Sequence, residues 1–389
     1  MNEPSKKKLQ LFTDKKSRFV VISLLLLLAL LGFFLGTILT GKEDEASLPL
    51  PNENIEPQLP EPVFEPLPEP EPQPILNPLT HLPVADEAAL ERRIILVSID
   101  NYKPARPQAG IGTADIMYEL PAEGGISRLV ALFFTDTPKI IGPVRSARPY
   151  IVDVAREWQG LFVHCGGSND ALNYLAKGHV NWLNEMSYSK YFWRDKTRHM
   201  PHNLFTSSEN IYDFLEEKKW EQISAPRSFS FYDPAENPPA SASKVDIIHI
   251  DYPDKGNRNS YVYDHATMLY ARSIGDEPHI DTNTEAQVLS ANILVQLVKA
   301  KVLDSVGRLE INLVGTGEAM LFTRGTMQEG TWKRESLDSP TYFCDSDGEE
   351  WLLSPGQTWI QICDGTTKVT YEDSTLAKEP ATPEAVINF

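Results

Sequence analysis

Phe19 to Thr40 reads FVVISLLLLLALLGFFLGTILT, 22 residues without a charge. A helix satisfies its own backbone polar groups, which lipid cannot do. At 1.5 Å per residue this run reaches roughly 33 Å, enough for a hydrocarbon core of about 30 Å. Lys6, Lys7, Lys8, Lys15, Lys16 and Arg18 precede it, and Glu43, Asp44 and Glu45 follow. The positive-inside rule then puts residues 1–18 in the cytoplasm as a basic tail, with everything after Lys42 outside. A cleaved signal peptide is the alternative, but its apolar region normally runs about 7–15 residues. Gly36-Thr37-Ile38 is also a poor small-x-small cleavage site, and no Cys stands at the end of the run to accept a lipid. The expectation is a single-pass membrane anchor with extracytoplasmic folded domains.

From Leu48 to Pro83 one residue in three is Pro, mostly alternating with Glu. Pro removes the amide donor and fixes φ, which excludes helix interior and central strand. Extended polyproline II at ~3.1 Å per residue gives a reach of about 100 Å at most. Residues 41–87 are therefore expected to be a disordered Pro/Glu-rich linker, a spacer or a docking ligand for an aromatic-lined groove.

The net charge is −18 and 41% of residues are hydrophobic. The basic tail leaves −22 on the remaining 371 residues, which excludes a general nucleic-acid binder; the hydrophobic content excludes a fully disordered chain. The Pro- and Ser-rich stretch Pro234–Ser243 suggests a boundary. Before it, over residues 88–234, Arg93–Ile99, Asp115–Leu120, Arg128–Phe134 and Leu161–Cys165 read as strands. Pro149–Trp158 reads as a helix, Ser168 as a helix cap, and Thr206-Ser-Ser-Glu209 as a capping box opening Asn210–Lys219. After it, over residues 244–372, short apolar runs punctuated by Gly, Asp and Pro read as strands. Thr284–Lys301 also fits a helix, being rich in good helix formers. The fold class is thus α+β, an N-terminal mixed α/β domain followed by a smaller β-rich domain, with a tail over 373–389.

Polar chemistry concentrates in four segments of the first domain. Arg106–Gly110 leads to Asp115, Glu119, Glu123 and Arg128. Gly142–Pro149 carries Arg145, Ser146 and Arg148. His164-Cys165-Gly166-Gly167-Ser168 joins a strand to a helix, and Arg194–Asn203 carries Lys196, Arg198, His199 and His202. Arginine forks match carboxylate or phosphate in bidentate fashion. Glycines let backbone approach a ligand, and helix starts favour anions. In a body this acidic, an anion-receiving cleft is expected from Arg128, Arg145, Ser146, Arg148, His164, Gly166, Gly167, Ser168, Arg194, Arg198, His202 and Asn203. The opposing reading has these arginines pairing with Asp115, Glu119, Glu123, Asp153 and Asp195.

Other chemistries are weighed against this one. Glu119 and Glu123 are weak candidates for a catalytic carboxylate pair, since Pro121 disrupts a helical relation between them. His164, His199 and His202 match no strong zinc spacing, so no metal is expected. Cys165 beside His164 invites a thiolate reading, although a strand-end Cys is more often packing. Cys344 and Cys363 are compatible with a disulfide or with two buried thiols.

RPQAGIGTADIMYE (Arg106–Glu119), EGGISR (Glu123–Arg128), IGPVRSARPY (Ile141–Tyr150), HCGGS (His164–Ser168) and RDKTRHMPHNLFTS (Arg194–Ser207) occur in the first half. PHIDTNT (Pro278–Thr284), LVGTGEAMLFTRG (Leu313–Gly325) and SPGQTWIQI (Ser354–Ile362) occur in the second. On these motifs the chain resembles the YerB-like family of bacterial envelope lipoproteins, over roughly Ile94 to Cys363. The resemblance implies two paired domains outside the cytoplasmic membrane and brings no established reaction, cofactor or catalytic residue. The chain departs from the lipoprotein pattern in lacking a lipid-accepting Cys. Three functions follow as expectations: binding of an anionic cell-envelope ligand, recruitment of an envelope protein, or hydrolysis or transfer on cell-wall polymers through Glu119 or Glu123. The membrane is contacted through Phe19–Thr40.

Overall fold

The computed structural model describes residues 74–221 and 226–373. The basic tail, the Phe19–Thr40 run, most of the Pro/Glu stretch and the end of the C-terminal tail lie outside them. Among the described residues no helix is long and apolar enough to cross a membrane. The architecture is mostly β, with few helices.

The principal sheet is built from β1 (Ile95–Asp100), β2 (Ile116–Pro121), β3 (Ser127–Phe133), β4 (Leu161–His164) and β5 (Asn181–Asn184) before the Pro/Ser stretch. Among the described residues three α-helices accompany them: α1 (Pro149–Trp158), α2 (Asn169–Leu175) and α3 (Ser208–Lys218). A second, smaller sheet is antiparallel and contains β6 (Ile247–Asp251), β7 (Arg258–Asp264) and β8 (Leu269–Ile274). The chain then returns to the principal sheet with β9 (Asn292–Leu297), β10 (Gly315–Thr323), β11 (Thr326–Arg334), β12 (Tyr342–Cys344) and β13 (Thr358–Cys363), and ends on the smaller one with β14 (Lys368–Glu372). The order across the principal sheet is β12-β11-β10-β9-β13-β2-β3-β1-β4-β5. The seam between halves is the parallel pair β2–β13, Ile116 opposite Thr358 through Glu119 opposite Gln361. Pro234–Ser243 is a largely exposed connection, yet strands from both sides of it share one sheet.

All six residues of β1, of β2 and of β13 are buried because both faces of the sheet are covered. Ile116, Tyr118 and Leu120 point into a core closed by α1 and α2, through Tyr150, Ile151, Val154, Ala155 and Leu175. Met117 on the same strand points into the opposite core, closed by Ile248, Ile250, Tyr261 and Tyr270 of the smaller sheet and by Ile211 and Phe214 of α3. Strand alternation therefore also aims Glu119 at the smaller sheet. β7 and β8 alternate buried with more exposed residues, as one-sided antiparallel strands do.

Several local expectations are met. α1 spans Pro149–Trp158 with Pro at its first position, where the missing amide costs nothing. Ser168 caps α2 by accepting from the Ala171 amide. The third helix is capped by Ser207, not Thr206, and starts at Ser208, because Ser207 Oγ reaches the Asn210 amide at 3.1 Å. The helical alternative for Thr284–Lys301 is overturned: Asn292–Leu297 is β9, held by ladders on both sides. Part of the expected linker, residues 74–87, belongs to the described structure. Leu79 is fully buried, and Asn77 donates to Asp115 at 2.5 Å and to Thr135 at 2.7 Å, so this segment is anchored to the body at Asn77 and Leu79.

Candidate functional site

β1 and β4 run parallel and end at Asp100 and His164. Gly142–Pro149 fills the space beyond their pairing. Asp100 N donates to Pro143 O and Arg145 N to Ser98 O on one side. Cys165 N donates to Arg145 O and Ala147 N to Gly166 O on the other. The hairpin Trp193–Arg194 with Leu204–Phe205 closes over it, Val144 N donating to Leu204 O at 2.7 Å. Gly142 has φ 146, and an added Cβ would lie 2.8 Å from Leu204 O, so only glycine permits this approach. The three cis peptide bonds among the described residues, Arg106-Pro107, Gly142-Pro143 and Met200-Pro201, lie in these polar segments. Segments distant in sequence thus meet at the C-terminal ends of parallel strands, where open α/β sheets receive ligands.

Asp100 organises the charge there. It is fully buried and sits 3.4 Å from Arg128 Nη1, 3.2 Å from Arg145 Nε and 2.7 Å from His202 Nδ1. It also accepts from the Tyr102 amide at 3.1 Å. Arg148 pairs with Glu123 and donates to Ala147 O. Three guanidinium groups thus face two carboxylates, leaving positive charge in excess. Burial pulls Arg128 down to about 10, Asp100 opposing and Arg145 and Arg148 reinforcing. Burial, with Glu123, holds the Tyr150 phenol well above its ordinary range against the fields of Arg128 and Arg148. Arg128 Nε and Tyr150 OH are buried and have no hydrogen-bond partner among the described residues. Buried donors of this kind ordinarily have one.

The other expected residues are spent on the scaffold. Arg194 lies 3.5 Å from Glu185 and donates to Asn203 Oδ1. Arg198 lies 3.4 Å from Asp195 and donates to the carbonyls of Ala105 and Pro107. Asn203 donates to Asp195 O and Arg198 O, which folds the arm on itself. The Ser146 carbonyl accepts from Ser98 Oγ. Gly166 N donates to Asn184 Oδ1, and Gly167 lies close on Ala147. His164 is buried, stacked on Phe162, and held down at about 4 by desolvation. It is therefore neutral, and its Nδ1 donates to Gly166 O at 2.7 Å. Burial and Glu185 push the Cys165 thiol up to about 11, opposite to what a thiolate nucleophile needs. Cys165, Cys344 and Cys363 are all free.

The carboxylate pair does not assemble. Glu119 is fully buried between the two sheets and accepts from Asn101, Ser127, Asn259, Arg272 and Gln361. Arg272 stacks on Trp359, 4.1 Å from the ring centre, and its Nε donates to His279 Nδ1 at 2.9 Å. His279 Nε2 in turn donates to Gln108 Oε1 at 2.8 Å. Glu123, paired with Arg148, is held below the usual carboxylate range by that partner although burial opposes it. One carboxylate is sealed and the other neutralised, so neither is placed as a general acid.

Sequence reasoning missed Asp100 and the buried group Asn101, Gln108, Asn259, Arg272, His279 and Gln361. An Asp ending a buried, mostly apolar strand was a usable signal for the first. No spacing announces the second, in which Gln361 reaches Glu119 across 242 residues of sequence.

The model described as Protein of unknown function (DUF3048) N-terminal domain matches residues 79–221, and the corresponding C-terminal domain model matches residues 248–360. A Bacillus subtilis (strain 168) protein named "Putative lipoprotein YerB" is 33% identical over 290 residues, spanning 73% of this chain and 85% of that protein. The crystal structure of the YerB protein from Bacillus subtilis matches with a TM-score of 0.68 at 30% identity, covering 76% of this chain and 99% of that one.

Proposed function

The chain belongs to the YerB-like DUF3048 family, and from that premise we propose that it is a membrane-tethered extracytoplasmic head that binds an anionic cell-envelope ligand beyond β1 and β4. The relative's lipoprotein name supports tethering outside the cytoplasm. In this chain the uncharged Phe19–Thr40 run takes the place of a lipid anchor. The observation that carries ligand binding is the uncompensated cation: Arg128, Arg145 and Arg148 against Asp100 and Glu123, with Arg128 Nε buried and unpartnered. One ligand oxygen accepting from Arg128 Nε removes that deficit, while the partly exposed Arg145 and Arg148 offer further contacts. The narrowed site is Arg128, Arg145, Arg148 and His202; the remaining expected residues shape the loops.

Thermal unfolding of the full-length chain in detergent, with and without phosphate or wall-derived polyanions, tests this. Ligands that bind the native form raise its apparent stability. The expected result is a rise that Arg145→Ala/Arg148→Ala abolishes while the variant stays folded. No rise with any anion contradicts the reading.

A hydrolytic reading gains support from one contact, His202 Nδ1 2.7 Å from the buried Asp100, which holds the imidazole in one orientation as the carboxylate of a catalytic triad does. Products released from wall material by the full-length chain, and lost in His202→Ala, are its expected outcome; no turnover removes it.

A further inference from the structure

We propose that this basic end docks an acidic polypeptide segment of a partner protein that carries aromatic or apolar side chains beside its carboxylates. The inference rests on the anion reading and names its ligand class. The segments that bring the cations also bring large apolar side chains into solvent: Tyr102 is 44% exposed, Met186 75%, Trp193 38% and Met200 70%. Tyr102 stands against His202, ring centres 5.6 Å apart. Met186 borders the Gly166 turn, where a Cβ would meet it at 3.5 Å. Trp193 stacks on Phe205 next to Arg194, and Arg198 covers the same Phe205 ring. Met200 lies two residues from His202.

A simple phosphate needs only the guanidinium groups and leaves these four side chains unused. Arg, Tyr, Trp and Met are the residues enriched where proteins meet proteins, and Met adapts its shape to a partner. The charge fits as well. Arg128, Arg145, Arg148, Arg194, Lys196 and Arg198 outnumber Asp100, Glu123, Glu185 and Asp195 at this end, in a chain of net charge −18. An anionic lipid surface would meet the whole acidic body, whereas one acidic segment meets only the basic end.

The test uses the full-length chain in detergent and fluorescence anisotropy of a labelled glutamate–tyrosine random copolymer, with polyglutamate of equal length and inorganic phosphate alongside. The copolymer is expected to bind about tenfold tighter than polyglutamate, the effect of well-packed anchors. Met186→Ala/Met200→Ala, and separately Tyr102→Ala, should remove most of that advantage. Both methionines are solvent-exposed, so the first variant leaves the fold intact. Equal affinity for the two polymers, or unchanged copolymer binding in the variants, overturns the inference while the anion reading stands. Phosphate stabilisation without polymer binding does the same. Failure of phosphate and both polymers removes the anion reading with it.

Discussion

Arg272 on β8 donates to Glu119 on β2 at 2.8 Å, and neither side chain reaches solvent. The pair lies between the principal and the smaller sheet, one partner from each half of the chain. Asn101, Ser127, Asn259, Tyr261 and Gln361 complete the ring of hydrogen bonds around it. A buried pair this fully satisfied holds the halves in one register, and its cost is felt only when one member is lost.

Glu119→Ala should therefore destabilise the protein by about 3–5 kcal/mol, because it leaves the Arg272 cation buried and unpaired. Glu119→Leu combined with Arg272→Met should recover a large part of that loss. Urea denaturation of the three proteins measures it through the shift in midpoint. A single variant within about 0.5 kcal/mol of the parent, the range of neutral surface changes, contradicts the locking role.

Two buried groups pull stability in opposite directions over the same pH window. Burial raises Asp115 from 3.8 to about 7, so between those values the folded state holds more protons and stability falls as pH rises. Burial lowers His164 from 6.5 to about 4, so the unfolded state holds more protons there and stability rises with pH. Asp115→Asn should steepen the rise of stability from pH 4 to 7, and His164→Gln should flatten or reverse it, each by up to roughly 1.4 kcal/mol per pH unit. Unfolding free energies of the parent and both variants across that range decide the signs.

Asp100→Ala should cost about 2–4 kcal/mol, since Arg128, Arg145 and His202 lose their common carboxylate. Added phosphate should restore more stability to this variant than to the parent by taking the vacated place. Melting temperatures with and without phosphate show it; an equal response in both proteins argues against the cations sharing one anion position.

The Cys165 thiol, pushed up to about 11, should alkylate slowly at neutral pH and speed up only in strong alkali. Glu185→Gln should accelerate it, since Glu185 opposes the thiolate. Mass spectrometry of iodoacetamide-treated native protein reads the site directly. Rapid modification at pH 7 contradicts this environment.

Strand and helix positions were legible where period and punctuation agreed. Pro149–Trp158 carries its apolar face at helical spacing behind a starting Pro, and the structure has that helix to the residue. Thr284–Lys301 misled because propensity favoured helix while the ladders to β10 and β13 imposed strand. At the site, residue type identified the cations but not their partners. Arg194 and Arg198 are indistinguishable in sequence from Arg145 and Arg148. Only the fold shows that Glu185 and Asp195 neutralise the first two, while Asp100 is shared by Arg128, Arg145 and His202. Glu119 read as a catalytic candidate because its burial arises from β7 and β8, well over a hundred residues later.

Calorimetric titration of inorganic phosphate into the full-length chain in detergent at low ionic strength tests the uncompensated cation most directly. The account predicts one site per chain, weakened by added salt and lost in Arg145→Ala/Arg148→Ala. Absence of binding, or binding undiminished in that variant, contradicts it.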